Sequence, residues 1–140
     1  MFGPKTALAI ILLAATAVWS DVSPDETCGM DGAGNDNGYT CPGEIKCCSV
    51  NGYCGATDEY CLTTTGCQDQ YSNATGSCNE PVDGVSISPD GTCGIVSAGE
   101  YGYKCPSEGA TCCSVAGYCG NTTAHCAITN GCQSKYGECE

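Results

Sequence analysis

The stretch Cys47–Cys61, CCSVNGYCGATDEYC, returns 65 residues later as Cys112–Cys126, CCSVAGYCGNTTAHC. Cysteine spacing in a small disulfide module determines which loops lie side by side, so a repeated frame means one scaffold built twice. Working outward, Cys28-Gly29 recurs as Cys93-Gly94, and the offset runs without a gap from Cys47 to Tyr71. Gly52/Gly117, Tyr53/Tyr118, Gly55/Gly120, Gly66/Gly131, Gln68/Gln133 and Tyr71/Tyr136 are among the repeated pairs.

The chain therefore divides into modules over 28–78 and 93–139, with an N-terminal segment 21–27 ahead of them. Between the modules, Asn79–Thr92 (NEPVDGVSISPDGT) is polar and carries two Pro and two Gly, and reads as a linker. As a flexible coil its ends stand roughly 20 Å apart. Neither module contains a long helical or alternating pattern. Short strands, turns and one helical turn each are expected. Thr57–Cys61 is the best stretch for that turn, with Thr57 as its cap and Asp58 and Glu59 placed favourably in its first turn. Thr122 takes the capping place in the second copy.

Residues 1–20 read as a secretory signal peptide rather than fold. Thr6–Val18 is almost wholly apolar, too short to span a bilayer, and Ser20 ends a run with small residues at the cut. All sixteen Cys lie beyond it. That density points to an oxidising, extracellular or cell-wall setting and a disulfide framework. Phe2 and Trp19 leave with the signal, and the remaining chain has eleven Val, Ile and Leu. So few apolar residues cannot offset chain entropy alone, and the crosslinks must contribute, at about 2–4 kcal/mol each.

The formal charge is −12, with no Arg. Nucleic acid and anionic membrane are therefore poor partners. No C-x-x-C occurs and His125 is the only histidine, so the sulfurs read as disulfides and no metal is expected. Eight Cys per module allow 105 pairings, and spacing does not choose among them. Adjacent side chains point in different directions, so Cys47 and Cys48 should reach different partners.

The frame C-x5-C-C-S-x2-G-x-C-G-x4-aromatic-C, from Cys41 to Cys61, resembles the hevein-type (type 1) chitin-binding domain, and both modules carry it. The second departs in having six residues between Cys105 and Cys112, and in His125 at the last aromatic position. The module endings resemble fungal members. The resemblance implies a small disulfide-rich fold of two hevein-like, knottin-type modules. It implies the bridges Cys28–Cys48, Cys41–Cys54, Cys47–Cys61 and Cys67–Cys78, then Cys93–Cys113, Cys105–Cys119, Cys112–Cys126 and Cys132–Cys139.

It also implies a sugar face. A chitin unit offers a flat C–H surface and an acetamido group, so its site needs rings to stack, a hydroxyl to orient, and a rigid loop. In the first module the resemblance places Ser49 on the acetamido carbonyl, Asn51 at the first ring position, and Tyr53 and Tyr60 at the second and third, with Glu59 as an acceptor. The second module keeps Ser114 and Tyr118 but has Ala116 and His125 at the other positions. Asn73 and Asn121 head glycosylation sequons, the latter inside the second binding loop. Against the sugar face stands the reading that Tyr53 and Tyr118 cover disulfides, as rings in small scaffolds commonly do, while Tyr39, Tyr71, Tyr101, Tyr103 and Tyr136 read as packing residues.

A glycosidase needs two carboxylates across a cleft, and one histidine cannot furnish a nucleophile, base and orienter set. The expectation is a secreted, non-enzymatic protein that binds chitin or chitooligosaccharides through two tethered sites of unequal strength, without cofactors. The alternative is a disulfide-rich effector or inhibitor that binds a host protein and keeps a vestigial sugar face. The ring missing from the first position of both copies favours that alternative, and the retained Ser49, Tyr53 and Tyr60 argue against it.

Overall fold

The computed structural model describes Gly3, residues 21–73 and residues 77–140. The signal-peptide reading of residues 1–20 lies outside these, apart from Gly3, and so do Ala74 and Thr75 of the Asn73 sequon. The fold is small and disulfide-rich. Its regular elements are short because Gly and Cys recur too often for longer ones.

The Cys doublet forms β1 (Cys47–Cys48), antiparallel to β2 (Cys54–Gly55), with Cys47 opposite Gly55 and Cys48 opposite Cys54. The turn between them needs Gly52, whose φ is +83° and whose missing Cβ leaves room for the Asp31 carbonyl and the Gly34 amide. α1 (Asp58–Cys61) follows. The second half repeats this as β3 (Cys112–Cys113), β4 (Cys119–Gly120) and α2 (Thr123–Cys126), with Cys112 opposite Gly120.

Thr57 and Thr122 do occupy the N-cap positions, but neither side chain caps. Their carbonyls accept the first helical bonds, from Tyr60 and Cys61 and from His125 and Cys126. The Thr122 hydroxyl is committed instead to Nδ1 of His125, 2.8 Å away. Each half also holds more than one helical turn. Single 3-10 turns form at Gly32–Gly34, Thr63–Thr65, Asp69–Tyr71 and Ile128–Asn130.

Eight bridges join Cys28–Cys48, Cys41–Cys54, Cys47–Cys61, Cys67–Cys78, Cys93–Cys113, Cys105–Cys119, Cys112–Cys126 and Cys132–Cys139, and no cysteine is free. They are the core. Cys28, Cys41, Cys48 and Cys54 cluster in the first half, flanked by Ile45 and Tyr71. Cys93, Cys105, Cys113 and Tyr136 do so in the second. Leu62 is the one fully buried aliphatic residue among those described, while Val50, Val85, Ile95 and Ile128 stay exposed. With so little hydrocarbon to bury, the crosslinks carry the stability by limiting the unfolded chain. Three sulfurs in each half, Cys28/Cys41/Cys54 and Cys93/Cys105/Cys113, converge within 4.8 Å. Each is half of a cystine and has no thiolate to give a metal.

Residues 79–92 do not run as a free coil. Asn79 exchanges backbone bonds with Cys61 and Thr63, and Val82–Ser86 closes a turn on the Ser86 hydroxyl. From Ser86 onward the segment belongs structurally to the second half. Lys104 bonds the Ser86 carbonyl and receives the Ser88 amide, as Thr40 does with Asp21 and Ser23. Asp90 gathers the Ser88 hydroxyl and the Thr92 amide and hydroxyl on one oxygen, as Asp25 does with Ser23 and Thr27. The repeat thus begins upstream of the first cysteine, at SPDETC and SPDGTC. Composition alone conceals this, because Ser, Pro, Asp and Gly are also what linkers are made of. Asp83 and Lys135 form an exposed ion pair beside this turn. Among the described residues no helix is long and apolar enough to cross a membrane.

Candidate functional site

Ser49 follows β1 directly, so the hairpin sets its position. Its amide bonds the Tyr53 carbonyl at 2.9 Å, and its Oγ accepts the Tyr53 amide at 3.2 Å. Serine and tyrosine are therefore locked to each other across a Gly52 turn. Gln68, repeated as Gln133 without an evident role in the sequence, donates from Nε2 to the Ser49 carbonyl at 2.7 Å. Gln133 does the same for Ser114.

Tyr60 comes from α1, and its ring lies against the backbone of Gly55. A Cβ there would sit 2.5 Å from Cδ1 and closer to Cγ. Gly55 does not have a positive φ. What it supplies is a flat seat for the ring, and Gly120 supplies the same seat for His125, with Cγ and Cδ2 at 2.5 Å. The repeated glycines after Cys54 and Cys119 are thus explained by ring placement.

Ser49, Asn51, Tyr53, Glu59 and Tyr60 all line one open groove of about 400 Å³, joined by Thr64 and Thr65. Ser49 and Tyr60 are half-buried, Asn51 and Glu59 exposed, and Tyr53 keeps 52 % of its surface. The opposite wall comes from the second half: Pro89, Asp90, Tyr101 and Tyr103. Tyr101 and Tyr103, read from the sequence as packing residues, divide in the structure. Tyr103 is buried, shares a hydrogen bond with Thr64 Oγ1, and holds its ring centre 5.5 Å from that of Tyr101. Tyr101 is exposed. Burial pushes the Tyr103 hydroxyl above its ordinary range, partly countered by the Thr64 bond. Partial desolvation works to raise the Asp90 carboxyl, but the bonds from Thr92 and Ser88 outweigh it and leave it lowered.

No signal in one module's sequence marks Tyr101. Aligned through Tyr39/Tyr103 and Cys41/Cys105, it stands where the first half has Asn37. Only the docking of the halves brings it to Tyr53 and Tyr60. That docking uses the Thr64–Tyr103 bond and the Ile87 amide, which donates to Asp58 Oδ2 at 2.6 Å.

The second set of residues has a different setting. Tyr118 is 52 % exposed and Ala116 exposed, but Ser114 is buried, with 7 % of its surface accessible. Ser114 Oγ accepts the Tyr118 amide at 3.2 Å, as in the first half. Asn73 and Asn121 are both exposed, and Asn121 directly follows the Gly120 seat of His125.

No protein-family model matches the chain. A protein of Gibberella moniliformis named non-secreted LysM effector is 42 % identical over 123 residues, 86 % of this chain and 14 % of the relative. A chitin deacetylase of Pestalotiopsis sp. is 47 % identical over 53 residues, 38 % of this chain and 15 % of that protein. An endochitinase 1 of Theobroma cacao is 45 % identical over 51 residues, 36 % of this chain and 14 % of that protein. The chain thus spans 14 to 15 % of the length of these relatives.

Proposed function

We propose that this chain is a non-enzymatic chitin-binding protein built from two hevein-like modules, and that the face of Ser49, Tyr53 and Tyr60 is its main sugar site. The observation that carries the reading is the groove itself: two rings, a hydroxyl and a carboxylate, all on backbone locked by disulfides. Tyr53 and Tyr60 remove apolar sugar surface from water. Ser49 Oγ accepts the Tyr53 amide, so its hydrogen is what it offers the acetamido carbonyl. Glu59 accepts from a sugar hydroxyl or N–H, and Asn51 adds polar contact. The preformed loop limits the entropy cost of binding.

The comparisons support the ligand class. The similar segments in a chitin deacetylase and an endochitinase are 53 and 51 residues, about one repeat of this chain. A short cysteine-rich piece shared by two proteins that act on chitin, and by an effector, is best read as the part that holds the polymer. The second site, with Ser114, Tyr118 and His125, is proposed to be weaker, because its serine is buried and its first ring position holds Ala116. Tethering lets it add avidity on a repeating polymer. Secretion is part of the proposal and rests on the apolar run Thr6–Val18. The fungal relative's name says non-secreted, so fractionation of the producing cells into medium, wall and lysate decides the matter.

The test of binding is retention of the oxidised chain on insoluble chitin, against cellulose. Retention that is lost with Tyr53→Ala/Tyr60→Ala and largely kept with Tyr118→Ala/His125→Ala is expected. Absence of retention by the correctly paired wild type overturns the reading and turns attention to protein partners.

A further inference from the structure

The groove does not end at the first half. Its far wall is built by Pro89, Asp90, Tyr101 and Tyr103 of the second half, and two bonds between the halves hold it in place. The Asp58 carboxylate takes the Ile87 amide just ahead of Pro89 and Asp90. The Thr64 and Tyr103 hydroxyls share a hydrogen bond, and the Tyr101 ring leans against that of Tyr103 at 48°. Wall and face are therefore one preorganised surface rather than two sites on a loose tether. The volume of about 400 Å³ falls in the range of small-ligand sites, roughly 300–1,000 Å³.

We propose that this groove is a composite site, in which Tyr101 and Asp90 of the second half receive one further N-acetylglucosamine unit of an oligomer whose preceding units lie on Tyr53 and Tyr60. The proposal rests on the chitin-binding reading above. Each part has a role that its chemistry suits. Tyr101 keeps 43 % of its surface and is the ring available to stack on a sugar's C–H face. Tyr103 is buried and its hydroxyl is engaged, so it backs Tyr101 rather than contacting sugar. On Asp90 the three internal bonds converge on Oδ1, which fixes the carboxylate and leaves Oδ2 as acceptor for a sugar hydroxyl or acetamido N–H. Pro89 holds the backbone of that turn without an N–H to desolvate.

The consequence is a length preference that neither module has by itself. The experiment is calorimetric titration of the full oxidised chain with N-acetylglucosamine trimer and pentamer. Wild type, Tyr101→Ala, Tyr101→Phe, Tyr118→Ala and Tyr53→Ala are compared. The wild type is expected to bind the pentamer more tightly than the trimer. Tyr101→Ala should weaken the pentamer roughly fivefold, the scale of one ring contact, and leave the trimer unchanged. Tyr101→Phe should retain the preference, because the ring is kept. Pentamer binding by Tyr101→Ala equal to wild type overturns the composite site, as does equal loss of trimer and pentamer, which would make the ring a support of the first face. Loss of the length preference in Tyr118→Ala instead would assign the extra contact to the second module's own face, and would overturn it too. These failures leave trimer binding and its loss in Tyr53→Ala intact. Failure of the underlying reading looks different: the wild type binds neither oligomer, or Tyr53→Ala changes neither.

Discussion

Replacing Gly55 by Ala should unseat Tyr60 without touching any cystine. The backbone at Gly55 is not in the left-handed region, so alanine meets no conformational penalty there. Its nearest obstacle is the ring: the new methyl would lie 2.5 Å from Tyr60 Cδ1, where carbon atoms settle at about 3.5–4.0 Å. The ring must therefore retreat by about an ångström or more from β2. Two effects follow. Overpacking beside the Cys47–Cys61 bridge should cost about 1–3 kcal/mol of stability. Loss of the Tyr60 stacking surface should cost a further 0.5–1.5 kcal/mol, so that affinity for an N-acetylglucosamine trimer falls roughly three- to tenfold. The assay is titration calorimetry after disulfide mapping has shown the native pairing, with NMR of the Gly55 α-protons in the wild type. Those protons lie under the ring and should be shifted upfield. Gly120→Ala, which unseats His125 in the same way, is the matched control and should change trimer affinity much less. Trimer binding by Gly55→Ala within twofold of wild type would refute the role given to Tyr60, and a larger loss in Gly120→Ala would refute the ranking of the two sites.

Three further outcomes are expected. Gln68→Leu removes the 2.7 Å bond to the Ser49 carbonyl and should cost about 0.5–1.5 kcal/mol in urea unfolding, with weaker trimer binding from the loosened serine. Removing the Cys132–Cys139 bridge, which spans 7 residues, should destabilise by about 0.9 kcal/mol less than removing Cys93–Cys113, which spans 20, as denaturant midpoints of the paired Cys→Ser variants will report. The Asp90 carboxyl is lowered in the fold, so the stability it lends the groove wall is complete above the unfolded value of about 3.9 and is lost only as pH falls through its own lower value. Titration of the Thr92 amide by NMR should therefore show a midpoint below about 3.9, and a midpoint above it would contradict the bonds drawn to Asp90.

The character of the molecule was legible in the chain. Sixteen cysteines against the eleven Val, Ile and Leu of residues 21–140 leave cystine as the main core that stretch can build, and the 65-residue offset marks a repeated frame. The turn at Asp58–Cys61 was also legible, because acidic residues behind a threonine suit a helix start, although the threonine side chain turned out not to cap it. These are local or covalent properties, and spacing along the chain encodes them. The extent of the repeat was harder to read. SPDETC and SPDGTC lie in plain sight, yet their composition is that of a linker, and only the paired bonds of Asp25 and Asp90 distinguish a built turn from loose chain.

What tertiary structure alone decided is the company Tyr53 and Tyr60 keep. Thr64 and Tyr103 are 39 residues apart in sequence, and Asp58 and Ile87 are 29 apart. No periodicity or motif spacing connects them, because the contact depends on how two separately crosslinked halves dock. The docking brings Tyr101 and Asp90 to the groove face of Ser49, Tyr53 and Tyr60. It also separates two tyrosines that look alike in sequence, burying Tyr103 in the interface and leaving Tyr101 exposed in the groove.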